Sequence, residues 1–111
     1  VNEIGWDDFL KVDLRVGTIV GAALNAQARK PAYVLTVDLG EMGVKTSSAQ
    51  ITHHYPPDSL IGRRVLCVCN FPAKRVAGVR SEVLVTGVYD EAGNVVLAEF
   101  ALPAPNGGRL V

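Results

Sequence analysis

The sequence predicts an all-β protein of one domain, residues 1–111: a small barrel of five strands with one short helix between the third and the fourth, and a further strand near the C-terminal end. Three observations carry that expectation. Short runs rich in Val, Ile, Thr and Tyr alternate between two faces, as on a pleated surface. Turns bearing Gly, Pro, Asn and Asp separate the runs. A chain of 111 residues, 49% hydrophobic and 20% charged, suffices for one core and not for two, and is too apolar to be disordered.

The first strand spans residues 14–23, where Leu14, Val16, Thr18 and Val20 alternate with Arg15, Gly17 and Ile19. A polar connection over residues 25–31, closed by Pro31, leads to a second strand over 33–39. Tyr33, Leu35, Val37 and Leu39 share one of its faces, and Val34, Thr36 and Asp38 the other. Gly40-Glu41-Met42-Gly43 reads as a hairpin turn into a third strand over 44–48. Ser47-Ser48-Ala49-Gln50 then fits a capping box and predicts a helix over 49–55, which Pro56-Pro57 ends. Gly62 marks a turn before a fourth strand over 64–70, apolar on both faces.

A loop over 71–81, a fifth strand over 82–89, a hairpin turn at Asp90–Asn94 and a sixth strand over 95–100 complete the pattern, with a turn-rich end over 103–108. Five strands with a helix between the third and fourth is the order of the oligonucleotide/oligosaccharide-binding (OB) barrel, a partly open Greek key. A small sandwich or another small barrel shares that order.

Charge and composition narrow the function. Net charge is zero, but residues 59–81 hold Arg63, Arg64, Lys74, Arg75 and Arg80 with no acid, whereas residues 1–13 hold four acids against Lys11. The zero total argues against indiscriminate nucleic-acid binding, while the local cationic segment allows docking of phosphates or acidic groups. No apolar run approaches the ~20 residues of a membrane span, and the acidic N-terminal stretch is unlike a signal peptide. A soluble, cytoplasmic protein is expected.

Cys67 and Cys69, two apart in one run, read as reduced structural thiols; no metal-ligand spacing accompanies them. Adjacent His53 and His54 on a helix would diverge by ~100°, a poor arrangement for a shared catalytic site. No phosphate loop or nucleophile elbow is present. A non-enzyme without metal or cofactor is expected.

Binding has better candidates. The segment from Asn70 to Glu82 gathers an amide, the aromatic Phe71 and the bases Lys74, Arg75 and Arg80 between two strands. Phe71 can stack on a base or receive an apolar side chain while the cations hold phosphates or a carboxylate. The alternative makes Phe71 core and the bases ordinary solvated charge. Spacing leaves both open.

Motifs in order along nearly the whole chain add a resemblance. They are Trp6-x-x-Phe9-x-Lys11-Val12-Asp13-Leu14-Arg15-Val16-Gly17-Thr18-Ile19, Arg29-Lys30-Pro31-Ala32-Tyr33, Ser47-Ser48-Ala49-Gln50-Ile51-Thr52, Asn70-Phe71-Pro72, Ala77-Gly78-Val79-Arg80-Ser81-Glu82-Val83-Leu84 and Pro105-Asn106-Gly107. Together they resemble the tRNA-binding-domain family, and within it the stand-alone CsaA proteins. The resemblance implies an OB barrel with a C-terminal extension that completes a homodimer. It implies relatives that bind the outer corner of tRNA, or are appended to methionyl- and phenylalanyl-tRNA synthetases.

For the CsaA group, the resemblance implies an export-related chaperone that binds unfolded preproteins and the translocase motor without hydrolysing nucleotide. Carried over by motif, the ligand-binding residues are Asn70, Phe71, Lys74, Arg75, Arg80 and Ser81, with Gln50 nearby. One departure is Ala73, where relatives often carry a second proline. For peptide ligands, Phe71, Val76, Val79 and Tyr33 are the expected pocket. Independently, the apolar stretch over 95–100 would expose one greasy side outside a closed barrel, making Val95, Val96, Leu97 and Phe100 expected dimer contacts. Two functions follow: a homodimeric secretion chaperone for unfolded precursor segments, or alternatively a tRNA-binding protein reading shape and phosphates.

Overall fold

The computed structural model describes residues 2–111. Its elements are α1 (Trp6–Leu10), β1 (Leu14–Leu24), β2 (Tyr33–Asp38), β3 (Val44–Ala49), α2 (Pro57–Leu60), β4 (Arg64–Val68), β5 (Lys74–Val76), β6 (Val79–Ser81), β7 (Leu84–Val85), β8 (Gly87–Tyr89) and β9 (Val95–Leu97), with a 3-10 turn at Gly40–Met42.

Five antiparallel strands form a nearly closed barrel in the order β3-β2-β1-β4-β7, with α2 between β3 and β4 in the chain, the OB-type arrangement. β1 is long enough to pair twice. Its first half meets β4 and its second half meets β2, with a register shift between Ile19 and Gly21 where the strand bends. Gly17 leaves room for the core side chains packed over it: a Cβ there would collide with Val37 and Leu39. Tyr33, Leu35, Val37 and Leu39 all point into the core, as their period of two predicts. Ile19, Leu60, Val65 and Cys67 are likewise fully buried.

The barrel closes where β3 meets the chain entering β7. Glu82 N–H donates to Thr46 C=O at 2.8 Å, Thr46 Oγ1 donates to Arg80 C=O at 2.6 Å, and Ser48 N–H donates to Ser81 Oγ at 3.1 Å.

The helix expected over 49–55 is not formed. Ser47, Ser48 and Ala49 are ladder partners of Leu35, Val34 and Tyr33 in β3, so cross-strand pairing overrides the local capping signal. Pro56-Pro57 starts the helix instead of ending one, because Pro57 at the first helical position lacks an N–H that would have had no partner anyway. The loop expected over 71–81 contains the β5–β6 hairpin. The fifth strand is divided at Thr86, with β7 pairing with β4 and β8 pairing with β9.

α1 was not anticipated from the residue pattern. Gly5 N–H donates to Asp8 Oδ2 at 3.2 Å at its start, and none of its residues is buried. The sixth strand is shorter than expected and lies on its own barrel: Leu66 N–H donates to Ala98 C=O and Phe100 N–H to Arg64 C=O, each at 3.0 Å. The turn-rich end returns along β1, where Val16 N–H donates to Gly108 C=O at 2.9 Å.

Candidate functional site

The β5–β6 hairpin is the centre of the site. Its two-residue turn has Ala77 at φ 47° and Gly78 at φ 82°, the geometry of a type I′ turn that matches strand twist. Asn25 Nδ2 donates to Ala77 C=O at 3.2 Å, and Arg75 Nη1 donates to Gly78 C=O at 3.1 Å, so the tip is fixed from both sides. At the base, Glu82 accepts the Thr46 N–H at 3.2 Å and lies 3.9 Å from Lys45 Nζ. The backbone donor of Thr46, chiefly, holds the Glu82 carboxyl below the usual glutamate range.

Between hairpin and barrel lies a cleft of about 290 Å³ lined by Ser48, Phe71, Pro72, Lys74, Val76, Ser81, Glu82, Val83 and Leu84. It is mostly apolar at the walls, and Phe71 stands 57% exposed at its mouth. A larger cleft of about 1020 Å³ adjoins it, sharing Ser48, Lys74 and Leu84, and runs between the end of β3 and the β7–β8 edge.

The expected site residues separate into three groups. Phe71, Lys74, Val76 and Ser81 line the smaller cleft, and Gln50 lines the larger one with Lys74. Arg75 and Arg80 face each other across the β5–β6 ladder, both exposed, with no ion pair among the described residues; half-buried Val79 is paired with Val76 beside them. Asn70 and Tyr33 lie outside the clefts. Asn70 Nδ2 donates to Lys11 C=O at 2.8 Å and its Oδ1 accepts Asp13 N–H at 2.9 Å, tying down the segment after α1. Tyr33, 4% exposed, belongs to the core, and its hydroxyl donates to Tyr55 C=O at 2.7 Å.

The other bases of the cationic segment have partners. Arg63 contacts Glu99 at 3.1 Å and lies over the Tyr55 ring, and Arg64 donates to Phe100 C=O at 3.5 Å. Of the expected dimer contacts, Leu97 is buried in the chain's own core with Val95 packed against it, Phe100 is half-buried, and Val96 remains exposed. Cys67 is buried, which pushes its thiol up to about 12; burial also raises Cys69, half-buried beyond β4. His54, on a turn and not on a helix, contacts Asp90 at 2.6 Å.

Sequence reasoning missed Leu84, Val83, Pro72 and Lys30 as lining residues. Leu84 carried a readable signal, since an exposed Leu between buried Val83 and Val85 breaks the apolar-in, polar-out alternation.

Among the described residues, no helix is long and apolar enough to cross a membrane. A chaperone CsaA from Bacillus anthracis superposes with a TM-score of 0.91 at 49% identity, covering 99% of this chain and 100% of that one. A CsaA chaperone protein from Picrophilus torridus gives 0.90 at 40% identity over 98% of this chain and all of the other. The chain is 34% identical to methionine–tRNA ligase of Deinococcus radiodurans over 107 residues, 96% of this chain but only 15% of that protein, so it spans about one seventh of such curated relatives. The family model described as "Putative tRNA binding domain" matches residues 14–109. With its OB-type barrel and cation-flanked cleft, this chain belongs to the tRNA-binding domain family.

Proposed function

We propose that this chain is a non-enzymatic, homodimeric, cytoplasmic chaperone of the CsaA kind, which holds unfolded segments of precursor proteins in the cleft beneath Phe71. The observation that carries this reading is an exposed aromatic at the mouth of an apolar cleft, where burial of a client side chain would be favourable by ~25 cal/mol per Å². Lys74 lines it for client charge, while Arg75 and Arg80 lie on the opposite face of the β5–β6 hairpin. The full-length likeness to CsaA structures supports the same class. Delivery to the preprotein translocase motor is part of this reading.

Dimerisation draws support from apolar side chains left outside: Trp6 at 61% exposure, Leu10 at 38% and Leu102 at 76%. Arg109 Nη2 donates to Leu10 C=O at 2.6 Å, which brings α1 against the C-terminal end. Sedimentation at micromolar concentration tests this, a monomer being the contrary result.

One observation favours a second reading, tRNA binding. Arg75 and Arg80 sit directly opposite each other, a repulsion that a bound anion would relieve. Paired titrations at low and high salt separate the two. Salt-tolerant binding of an unfolded precursor peptide, lost in Phe71→Ala, supports the chaperone. Tight tRNA binding whose log affinity falls with log salt by roughly 0.7–0.9 per phosphate contact, flattened by about one unit in Arg80→Ala, supports the RNA module.

A further inference from the structure

We propose that an extended client segment binds by adding as a strand to the free edge of β7–β8, with the backbones of Val85, Gly87 and Tyr89 as its hydrogen-bonding partners. This rests on the peptide-binding reading above and supplies its recognition mode.

The argument is one of backbone parity. Thr86 N–H donates to Leu66 C=O, Ala98 N–H donates to Thr86 C=O, and Asp90 N–H donates to Asn94 C=O. In an antiparallel ladder, alternate residues direct both backbone groups to one neighbour. Thr86, Val88 and Asp90 therefore face β4 and β9, while Val85, Gly87 and Tyr89 direct their N–H and C=O groups the other way, into the larger cleft. The Leu97 N–H, opposite Gly87, confirms that phase by donating to the Tyr55 hydroxyl instead of to Gly87. Among the described residues, no strand pairs with the outward side of Val85, Gly87 and Tyr89, and no loop or turn hydrogen bond reaches their backbone groups.

The facing strand does not satisfy them. On β3 the outward position Thr46 is closed by Glu82, and the Ser48 N–H is taken by Ser81, but beyond Ser48 the two walls part to form the cleft of about 1020 Å³. Exposed edges usually carry a charge, a proline or a bulge that discourages pairing. Residues 84–89, Leu-Val-Thr-Gly-Val-Tyr, have no charge and no proline, and all of β8 is exposed.

A polypeptide fits this edge because its own N–H and C=O groups repeat at the spacing the edge presents, whereas a ribose-phosphate backbone offers no such alternation. Charge decides the flank. Lys30 and Lys74 line the cleft with no carboxylate among its lining residues, so the preferred segment is apolar with an acidic residue at one end. Main-chain pairing also suits a site whose clients share no sequence.

The probe is a blocked eight-residue peptide of alternating Val and Thr ending in Glu, titrated into the isotope-labelled protein with amide hydrogen exchange as readout. The Gly87 and Tyr89 amides should slow by about tenfold, while the already paired Val88 amide should not change. N-methylating alternate peptide residues in one parity should weaken binding by about tenfold, and in the other parity by less than about twofold. Tyr89→Pro, which removes only an outward N–H, should keep the melting temperature and weaken binding; exchanging the terminal Glu for Lys should weaken it as well.

Peptide binding with equal sensitivity to both parities, or with protection confined to the Phe71 cleft, would overturn strand addition and leave the chaperone reading standing. Absence of any peptide binding would overturn both. Protection of Gly87 and Tyr89 that grows with protein concentration alone would assign the edge to a second copy of this chain and overturn the proposal.

Discussion

The hydroxyl of Tyr55 accepts the backbone N–H of Leu97 at 2.9 Å, replacing the strand partner that Leu97 lacks at the point where β9 crosses the barrel. Tyr33 in turn donates its hydroxyl to the Tyr55 carbonyl at 2.7 Å. These two buried phenols link β2, the segment before α2 and β9 through groups that would otherwise be unpaired in the core. Tyr55→Phe leaves the Leu97 N–H without an acceptor and should lower stability by about 1–3 kcal/mol. Urea unfolding followed by circular dichroism measures this, and the same curves should show a smaller loss for Tyr33→Phe, whose orphaned carbonyl is the less costly group.

Ser47 presents the opposite case. Its hydroxyl is buried in β3, 1% exposed, with no hydrogen-bond partner. Ser47→Ala removes an unsatisfied polar atom and should leave stability unchanged or raise it by up to about 1 kcal/mol. A loss beyond about 1 kcal/mol in the same assay would mean that the hydroxyl has a partner in solution.

Asn70 and Phe71 are neighbours with separable roles. Asn70→Ala should cost about 1–2 kcal/mol by freeing the segment at Lys11 and Asp13, with ligand affinity unaltered at temperatures where the protein is folded. Phe71→Ala should spare the melting temperature, because the ring is mostly exposed, and weaken ligand binding. Differential scanning calorimetry paired with titration calorimetry distinguishes them; exchanged outcomes would reverse the assignment.

Acid should open the barrel seam. The Glu82 carboxyl lies below the usual glutamate range, chiefly through the Thr46 N–H, and Asp90 below the aspartate range, chiefly through the Asn94 N–H and then His54. A carboxyl lowered on folding stabilises the native state fully above its unfolded pKa, and that contribution is lost as pH falls through the folded value. Glu82→Gln should therefore flatten the fall in melting temperature below about pH 5. Its effect should shrink with added acid; a constant difference at all pH values would contradict the linkage.

The thiols give the reverse sign. Cys67, raised by burial and then by Cys69 to about 12, stays neutral in the folded protein. Its contribution to stability is full below the ordinary thiol range and is lost as pH climbs from there towards the folded value. Iodoacetamide at pH 8 should leave Cys67 unmodified in the native protein and label it in urea, as read by mass spectrometry. Labelling of Cys67 at equal rates in both states would contradict its burial.

What the sequence determined by itself was the material of the fold. The period of two in Tyr33, Leu35, Val37 and Leu39 requires one buried face, and the turn residues at Gly40–Gly43 and Asp90–Asn94 require reversals, so the order of the barrel strands was legible from neighbours in the chain, whereas the β5–β6 hairpin and the break at Thr86 were not. Tertiary structure decided everything that depends on partners distant in sequence. The Ser47–Gln50 capping pattern failed because the ladder to residues 33–35 was the stronger claim on the same backbone. Asn70, expected to bind ligand, and Tyr33, expected in a pocket, were drawn into hydrogen bonds 59 and 22 residues away, at Lys11 and Tyr55. The clefts themselves follow from the seam between residues 46–48 and 80–82, where one barrel edge closes and then parts. Side-chain period is a local property of the chain. A seam is fixed by which distant edges meet, and no stretch of sequence short enough to read by pattern contains both of them.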